Sequence, residues 1–212
     1  MELIQAAVQS YAEQFSAAPD PLLEEIDAYT TLHHPHQHML SGHLQGKLLE
    51  MISRMIRPRR ILEIGTFTGY SALCLAKGLT EDGQLHTIEL REEDAATAKA
   101  YFDRSPFAAR ITLHTGNASD IIPLLNETWD LVFIDADKTS YIKYFTLVLP
   151  QVRQNGFILA DNIFFHGQVL EEEVKNKSAK AIVAFNEFIR EREDIDKLIL
   201  TVRDGLYLIR KL

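Results

Sequence analysis

A chain of 212 residues, 46% hydrophobic and 25% charged, has the length and composition of one large soluble domain with a sizeable core. A formal net charge of −8 repels polyanions and so disfavours non-specific binding to nucleic acid or to anionic membrane surfaces. One cysteine, Cys74, allows no internal disulfide. With no charged-then-apolar leader and no membrane-length apolar run, the expectation is a cytoplasmic protein that does not enter a membrane.

In chain order, the first third predicts helices over residues 2–16, 21–32 and 42–57, with Pro19 and Pro21 punctuating the first gap. These form a helical cover, residues 1–57, of a single domain spanning 1–212. The period then changes. Short apolar runs (RILEIG, LHTIEL, ITLHTG, DLVFIDA, FILADN) alternate with the helical stretches SALCLAKGL, EEDAATAKAYF, ASDIIPLLN and TSYIKYFTLVLPQV. Such alternation predicts an α/β fold with a mostly parallel, doubly wound sheet. A helix in SAKAIVAFNEFIRERE precedes two last runs, LILTV and LYLIRK, separated by Arg203-Asp204-Gly205. Asp-Gly between alternating apolar runs signals a hairpin, so an antiparallel strand closes the sheet.

Ligands of open α/β sheets sit beyond the carboxyl ends of the strands. The first strand ends in Glu63-Ile64-Gly65-Thr66-Phe67-Thr68-Gly69, a glycine-bearing turn whose spacing fails the dinucleotide pattern G-x-G-x-x-G. A nicotinamide dehydrogenase is therefore disfavoured. Glu89 ends the second strand, about twenty residues on, where an acid can hold two ribose hydroxyls; the alternative is a surface acid ahead of Glu92, Glu93 and Asp94. At the third strand end, Asn117 and Ala118 stand where an adenine edge is read, although Asn117 or Ser119 can equally cap the next helix. The fourth and fifth strands end in Asp135 and in Asp161-Asn162. On adjacent strands, two carboxylates and a carbonyl oxygen make a hard, all-oxygen site suited to Mg²⁺, with Lys138 beside it. Alternatively, both aspartates merely cap the helices that follow.

Taken together, LEIGTFTGYS, TIEL, FIDADK and ADN resemble the class I S-adenosylmethionine (SAM) O-methyltransferases of the metal-dependent catechol and caffeoyl-CoA type. The resemblance runs through nearly the whole chain. It implies a Rossmann-like, seven-stranded sheet ending in an antiparallel strand. Glu63, Gly65 and Ser71 would line the methionine end of SAM, with Met39 and Ser41 flanking it. Glu89 would hold the ribose, and Asn117 with Ala118 the adenine. Asp135, Asp161 and Asn162 would bind Mg²⁺, or another divalent cation such as Mn²⁺ or Ca²⁺, with Asp135 also near the SAM amine. Lys138 matches the position of the general base, and a homodimer formed through the N-terminal helices is expected. Catechol methyltransferases place His-Trp where this chain has Ala136-Asp137, a pair shared with caffeoyl-CoA enzymes and many bacterial relatives, some of which methylate 5-hydroxyuridine in tRNA.

The implied reaction moves a methyl group from SAM to the hydroxyl of a catechol-like small molecule. The tRNA acceptor is the second possibility and a non-catalytic SAM-binding protein the third. A lysine acts as base only with a depressed pKa, which a neighbouring divalent cation provides. Phe164, Phe165 and His166 are expected to cover the acceptor. His33 to His38 hold four histidines without nearby carboxylates in sequence and predict a loop, and RMIRPRR a solvated turn away from the site.

Overall fold

In the computed structural model, which describes residues 3–212, three helices precede the first strand: α1 (Ala6–Gln14), α2 (Pro21–His33) and α3 (Gly42–Ile56). The helix predicted from residue 2 thus begins four residues later, and Glu2 itself lies outside the described residues. The strands are β1 (Arg60–Ile64), β2 (Gln84–Glu89), β3 (Ile111–Thr115), β4 (Trp129–Ile134), β5 (Val152–Asp161), β6 (Ile195–Leu200) and β7 (Leu206–Lys211). Between them run α4 (Tyr70–Ala76), α5 (Glu92–Arg104), α6 (Ala118–Ile121), α7 (Tyr141–Val148) and α8 (Lys177–Arg190).

Two predicted helices are shortened by proline. The stretch 118–126 gives one α-turn and then a 3₁₀ turn at Ile122–Leu124, and α7 passes into a second 3₁₀ turn at Leu149–Gln151. Pro123 and Pro150 lack the N–H that would continue an i→i−4 ladder.

The seven strands form one sheet in the order β3-β2-β1-β4-β5-β7-β6. All neighbours pair in parallel except β7, which is antiparallel to both β5 and β6. Successive residues of a strand face opposite sides, and both sides of this sheet are covered. Leu62, Ile64, Val132 and Ile134 pack against Ile122, Tyr141, Phe145 and Phe185. On the other face Ile61, Leu131 and Phe133 meet Ile26, Leu49, Leu75 and Phe102. Central strands buried on both faces explain why RILEI and LVFI read as continuous apolar runs rather than alternating ones.

Strand order reverses between β1 and β4, which opens a crevice at their carboxyl ends. Gly65 and Gly69 shape its floor. Both have left-handed backbones, with φ of 99° and 92°. A Cβ on Gly65 would lie 2.0 Å from the Asp135 carbonyl, and one on Gly69 would lie 2.8 Å from the Phe102 ring. These glycines therefore let the chain close on itself beneath the crevice. Because β6 runs parallel to β5, the β6–β7 turn arrives at the same edge. It is closed by a hydrogen bond from the Gly205 N–H to the Val202 carbonyl.

Candidate active site

The turn after β1 is organised by an acid from β2. Glu89 Oε2 accepts from the N–H groups of Thr66 at 3.1 Å and Phe67 at 2.7 Å, and its Oε1 accepts from the Arg91 N–H at 3.0 Å. Glu89 is buried, and so is not the surface acid of the alternative reading. Above it opens a cleft of about 400 Å³, walled by Phe67, Leu90, Asn117, Ala118 and Tyr144 among others. Asn117 caps α6, its Oδ1 accepting from the Ser119 N–H at 2.9 Å. It keeps its place in the cleft wall, so the two roles open to it in sequence are compatible.

A second cleft of about 370 Å³ adjoins the first, sharing Met39, Gly65, Phe67 and Asp135 to Asp137. Asp135, Lys138, Asp161 and Asn162 line it together. Neither aspartate is a helix cap. Lys138 Nζ donates to Asp135 Oδ1 at 2.8 Å and to the Tyr141 hydroxyl at 2.7 Å, and that hydroxyl donates to the Asp161 carbonyl at 3.0 Å. The Asn162 amide nitrogen donates to Asp204 Oδ2 at 3.2 Å, which turns its carbonyl oxygen the other way. Asn162 itself has φ of 56°, a left-handed bend that asparagine tolerates better than most residues.

The electrostatics follow from burial. Asp161 is pushed well above the ordinary carboxylate range by burial and then by the facing Asp135 charge, which Lys138 only partly offsets. Burial alone would press the Lys138 ammonium down, but Asp135, Tyr141 and Asp161 outweigh it and hold the proton more tightly than in an ordinary lysine. Two carboxylates and a carbonyl oxygen, with the Lys138 ammonium bonded to one of the carboxylates, make a donor set that fits a hard divalent cation.

Met39, Ser41, Gly65 and Ser71 also line this second cleft. Glu63 does not. It is fully buried under the floor, where its Oε2 accepts from the Thr87 hydroxyl at 2.5 Å and its Oε1 meets no hydrogen-bond partner among the described residues. Burial pushes its carboxyl up to about 8, against the neighbouring Ser71 and Thr87 hydroxyls.

Four residues of the site were not picked out in sequence. Gln45 and Tyr141 look like ordinary helical residues. Asp204 and Arg203 were visible only as a hairpin turn. No local pattern marks them, because their role depends on which turn meets which strand end.

Of the three residues expected to cover the acceptor, Phe165 and His166 line the cleft, whereas Phe164 packs inward against the core and lies where a side chain on Gly205 would clash with it. The histidine segment does have a carboxylate companion, from a distant helix. His34 Nε2 lies 2.9 Å from Asp94 Oδ1, with the His34 ring edge-on to Phe67. Arg60 pairs with Glu127 and Arg59 with Asp82 at the opposite edge of the sheet, away from the clefts.

The profile of the family described as O-methyltransferase matches residues 13–212. A catechol O-methyltransferase of Niastella koreensis is 35% identical over 160 residues, covering 74% of this chain and 72% of that protein. Among solved structures, an O-methyltransferase of Streptomyces achromogenes involved in tomaymycin synthesis, in complex with SAM, superimposes with a TM-score of 0.87 at 30% identity, covering 97% of this chain and 96% of that one. The methyltransferase of Podospora anserina bound to S-adenosylhomocysteine (SAH) gives 0.90, also at 30% identity, with 97% and 94% covered. With the seven-stranded sheet, the paired clefts and these likenesses in hand, the chain belongs to the O-methyltransferase family and is a SAM-dependent O-methyltransferase.

Proposed function

We propose that the enzyme methylates a hydroxyl oxygen of a catechol-like small molecule and that it requires a divalent cation, Mg²⁺ in the first instance. The observation that carries this is the convergence of Asp135, Asp161, Asn162 and Lys138 on one cleft beside the nucleoside-sized one. Glu89 would hold the ribose, Asn117 and Ala118 the adenine. Met39, Ser41, Gly65, Ser71 and Asp135 would surround the methionine part, with the buried Glu63 carboxyl beneath it. Asp135, Asp161 and the Asn162 carbonyl oxygen would hold the cation. When bound, a divalent cation would acidify the acceptor hydroxyl and neutralise the carboxylates that keep Lys138 protonated. Lys138 then takes the acceptor proton at Nζ. Tyr141, hydrogen-bonded to Lys138 and to the Asp161 carbonyl, keeps the amine aimed at the cleft. Phe165 and His166 cover the acceptor and limit water. Glu171 to Glu173 are exposed just beyond them and only partly offset by the exposed Lys175, Lys177 and Lys180, which favours a small acceptor over a phosphate-rich tRNA.

Two variants test this, assayed with a catechol and labelled SAM across Mg²⁺ concentration and pH. Asp161→Ala should lose activity and shift its Mg²⁺ requirement upward. Lys138→Met should keep SAM and metal binding but turn over roughly 10² to 10⁴ times more slowly, with partial recovery at high pH or with a more acidic hydroxyl. Wild-type turnover by Lys138→Met at every pH would make the amine a bystander. Full activity in the presence of a chelator would end the metal requirement.

A further inference from the structure

Arg203 occupies a backbone conformation that favours glycine. Its φ is 47°, a strained region for a long L-side chain, and such strain persists only where surrounding contacts hold it. Two hydrogen bonds of the side chain supply that hold. Arg203 Nη1 donates to the Ser41 carbonyl and, at 2.9 Å, to Gln45 Oε1.

Gln45 lies in the first turn of α3 and is almost fully buried, so both ends of its amide need partners. The guanidinium is a donor only, and it claims the amide oxygen. The amide nitrogen is therefore turned the opposite way, where it donates to Asp161 Oδ2 at 2.6 Å. The result is a one-way relay from the β6–β7 turn, through α3, to the end of β5. It spans 158 residues of sequence in its first link and 116 in its second.

We propose that Arg203 and Gln45 are positioning residues for Asp161, setting the orientation of its carboxylate toward the divalent cation while tying Ser41 to the cleft edge. The adjacent Asp204 does the corresponding service for Asn162, holding its amide nitrogen so that the carbonyl oxygen faces away. One turn thus orients two cation ligands from behind. The proposal rests on Asp135, Asp161 and Asn162 being those ligands. It differs from a purely structural tether between the N-terminal cover and the sheet, because a tether would leave cation affinity untouched.

The test is calorimetric titration of Mg²⁺ into SAH-saturated enzyme without acceptor, so that no turnover is involved. Wild type, Arg203→Gly, Gln45→Leu and the double variant are compared, each with a metal-free melting curve. Arg203→Gly relieves the backbone strain and so gives the turn no reason to misfold. Each single variant should weaken Mg²⁺ binding by roughly 10-fold or more, the usual scale for loss of a group that orients a metal ligand. The double variant should bind Mg²⁺ no more weakly than Gln45→Leu, since either change cuts the same relay. Unchanged Mg²⁺ affinity in Arg203→Gly would overturn the relay and leave a tether; this arm decides the matter even if Gln45→Leu fails to fold. Wild type that binds SAH but no Mg²⁺ would instead remove the ligand set on which the relay depends.

Discussion

Glu89 organises a loop, and on the proposed function it holds the ribose as well. From sequence, Glu89→Ala is expected to weaken SAM binding and leave the fold intact. Three backbone N–H groups on its oxygens change that expectation, because removing the acceptor strands the Thr66 and Phe67 donors in a buried turn. Hydrogen bonds to a charged group contribute about 1.5–3 kcal/mol, so Glu89→Ala should lower the ligand-free melting temperature as well as SAM affinity. Loss of affinity with an unchanged melting temperature would return Glu89 to a ligand-only role. Glu63 makes a second residue-scale prediction. Its native pKa of about 8 exceeds the ordinary 4.5, so between these values the native state holds a proton that the unfolded chain releases. Stability therefore falls as pH rises through that window. In Glu63→Gln the urea midpoint of the ligand-free protein should fall less between about pH 6 and about pH 8. An identical slope in both proteins would show that Glu63 does not titrate there.

Among the elements, α2 illustrates a helix start that was legible from local chemistry. Asp20 precedes Pro21, and its side chain accepts from the N–H groups of Leu22 and Leu23, both at 3.1 Å. It also pairs with Lys77 at 2.7 Å, tying the N-terminal cover to the end of α4. Asp20→Ala should cost about 1–2 kcal/mol, the upper part of the range for a cap because the ion pair goes with it. Chemical denaturation measures this directly, and a change below about 0.5 kcal/mol would show the cap to be dispensable. Elsewhere propensity misled. The stretches 118–126 and 139–152 carry helical periodicity, but Pro123 and Pro150 end each helix early, in a single α-turn and a two-turn helix respectively, and each passes into a 3₁₀ turn. The fifth strand extends upstream of FILADN to Val152, through the polar residues Arg153 to Asn155, which no apolar pattern would flag.

At the scale of the molecule, ligand binding and folding are one equilibrium. The two adjoining clefts are built from the ends of β1, β2, β3, β4 and β5 and from the β6–β7 turn, so a ligand filling them bridges most of the sheet. SAH at a hundredfold excess over its Kd should stabilise the native state by about 2.7 kcal/mol, or roughly 5–10 °C for a protein of this size. NAD should give no shift. The opposite pattern, a shift with NAD and none with SAH or SAM, would contradict a SAM site.

Where sequence and structure divide is clearest at the carboxyl ends of the strands. Strand-helix alternation, the Gly65 and Gly69 turn and the Asp204-Gly205 hairpin are local signals, set by backbone sterics and side-chain period, and they determined the sheet and the edge on which ligands would sit. Asp135, Asp161, Asn162 and Lys138 were legible for the same reason, since each ends a strand or follows one closely. What only the tertiary structure decided is who stands behind them. Gln45 reaches Asp161 across 116 residues, Arg203 reaches Gln45 across 158, and His34 finds Asp94 across 60. Glu63 lies one residue before the end of β1 and Glu89 at the end of β2, yet one carboxylate is sealed under the floor and the other holds the loop above it. Hydrogen-bond partners at such separations are set by the packing of α2 and α3 and the return of β7 against β5. Packing is a property of the whole chain, and no window of sequence contains it.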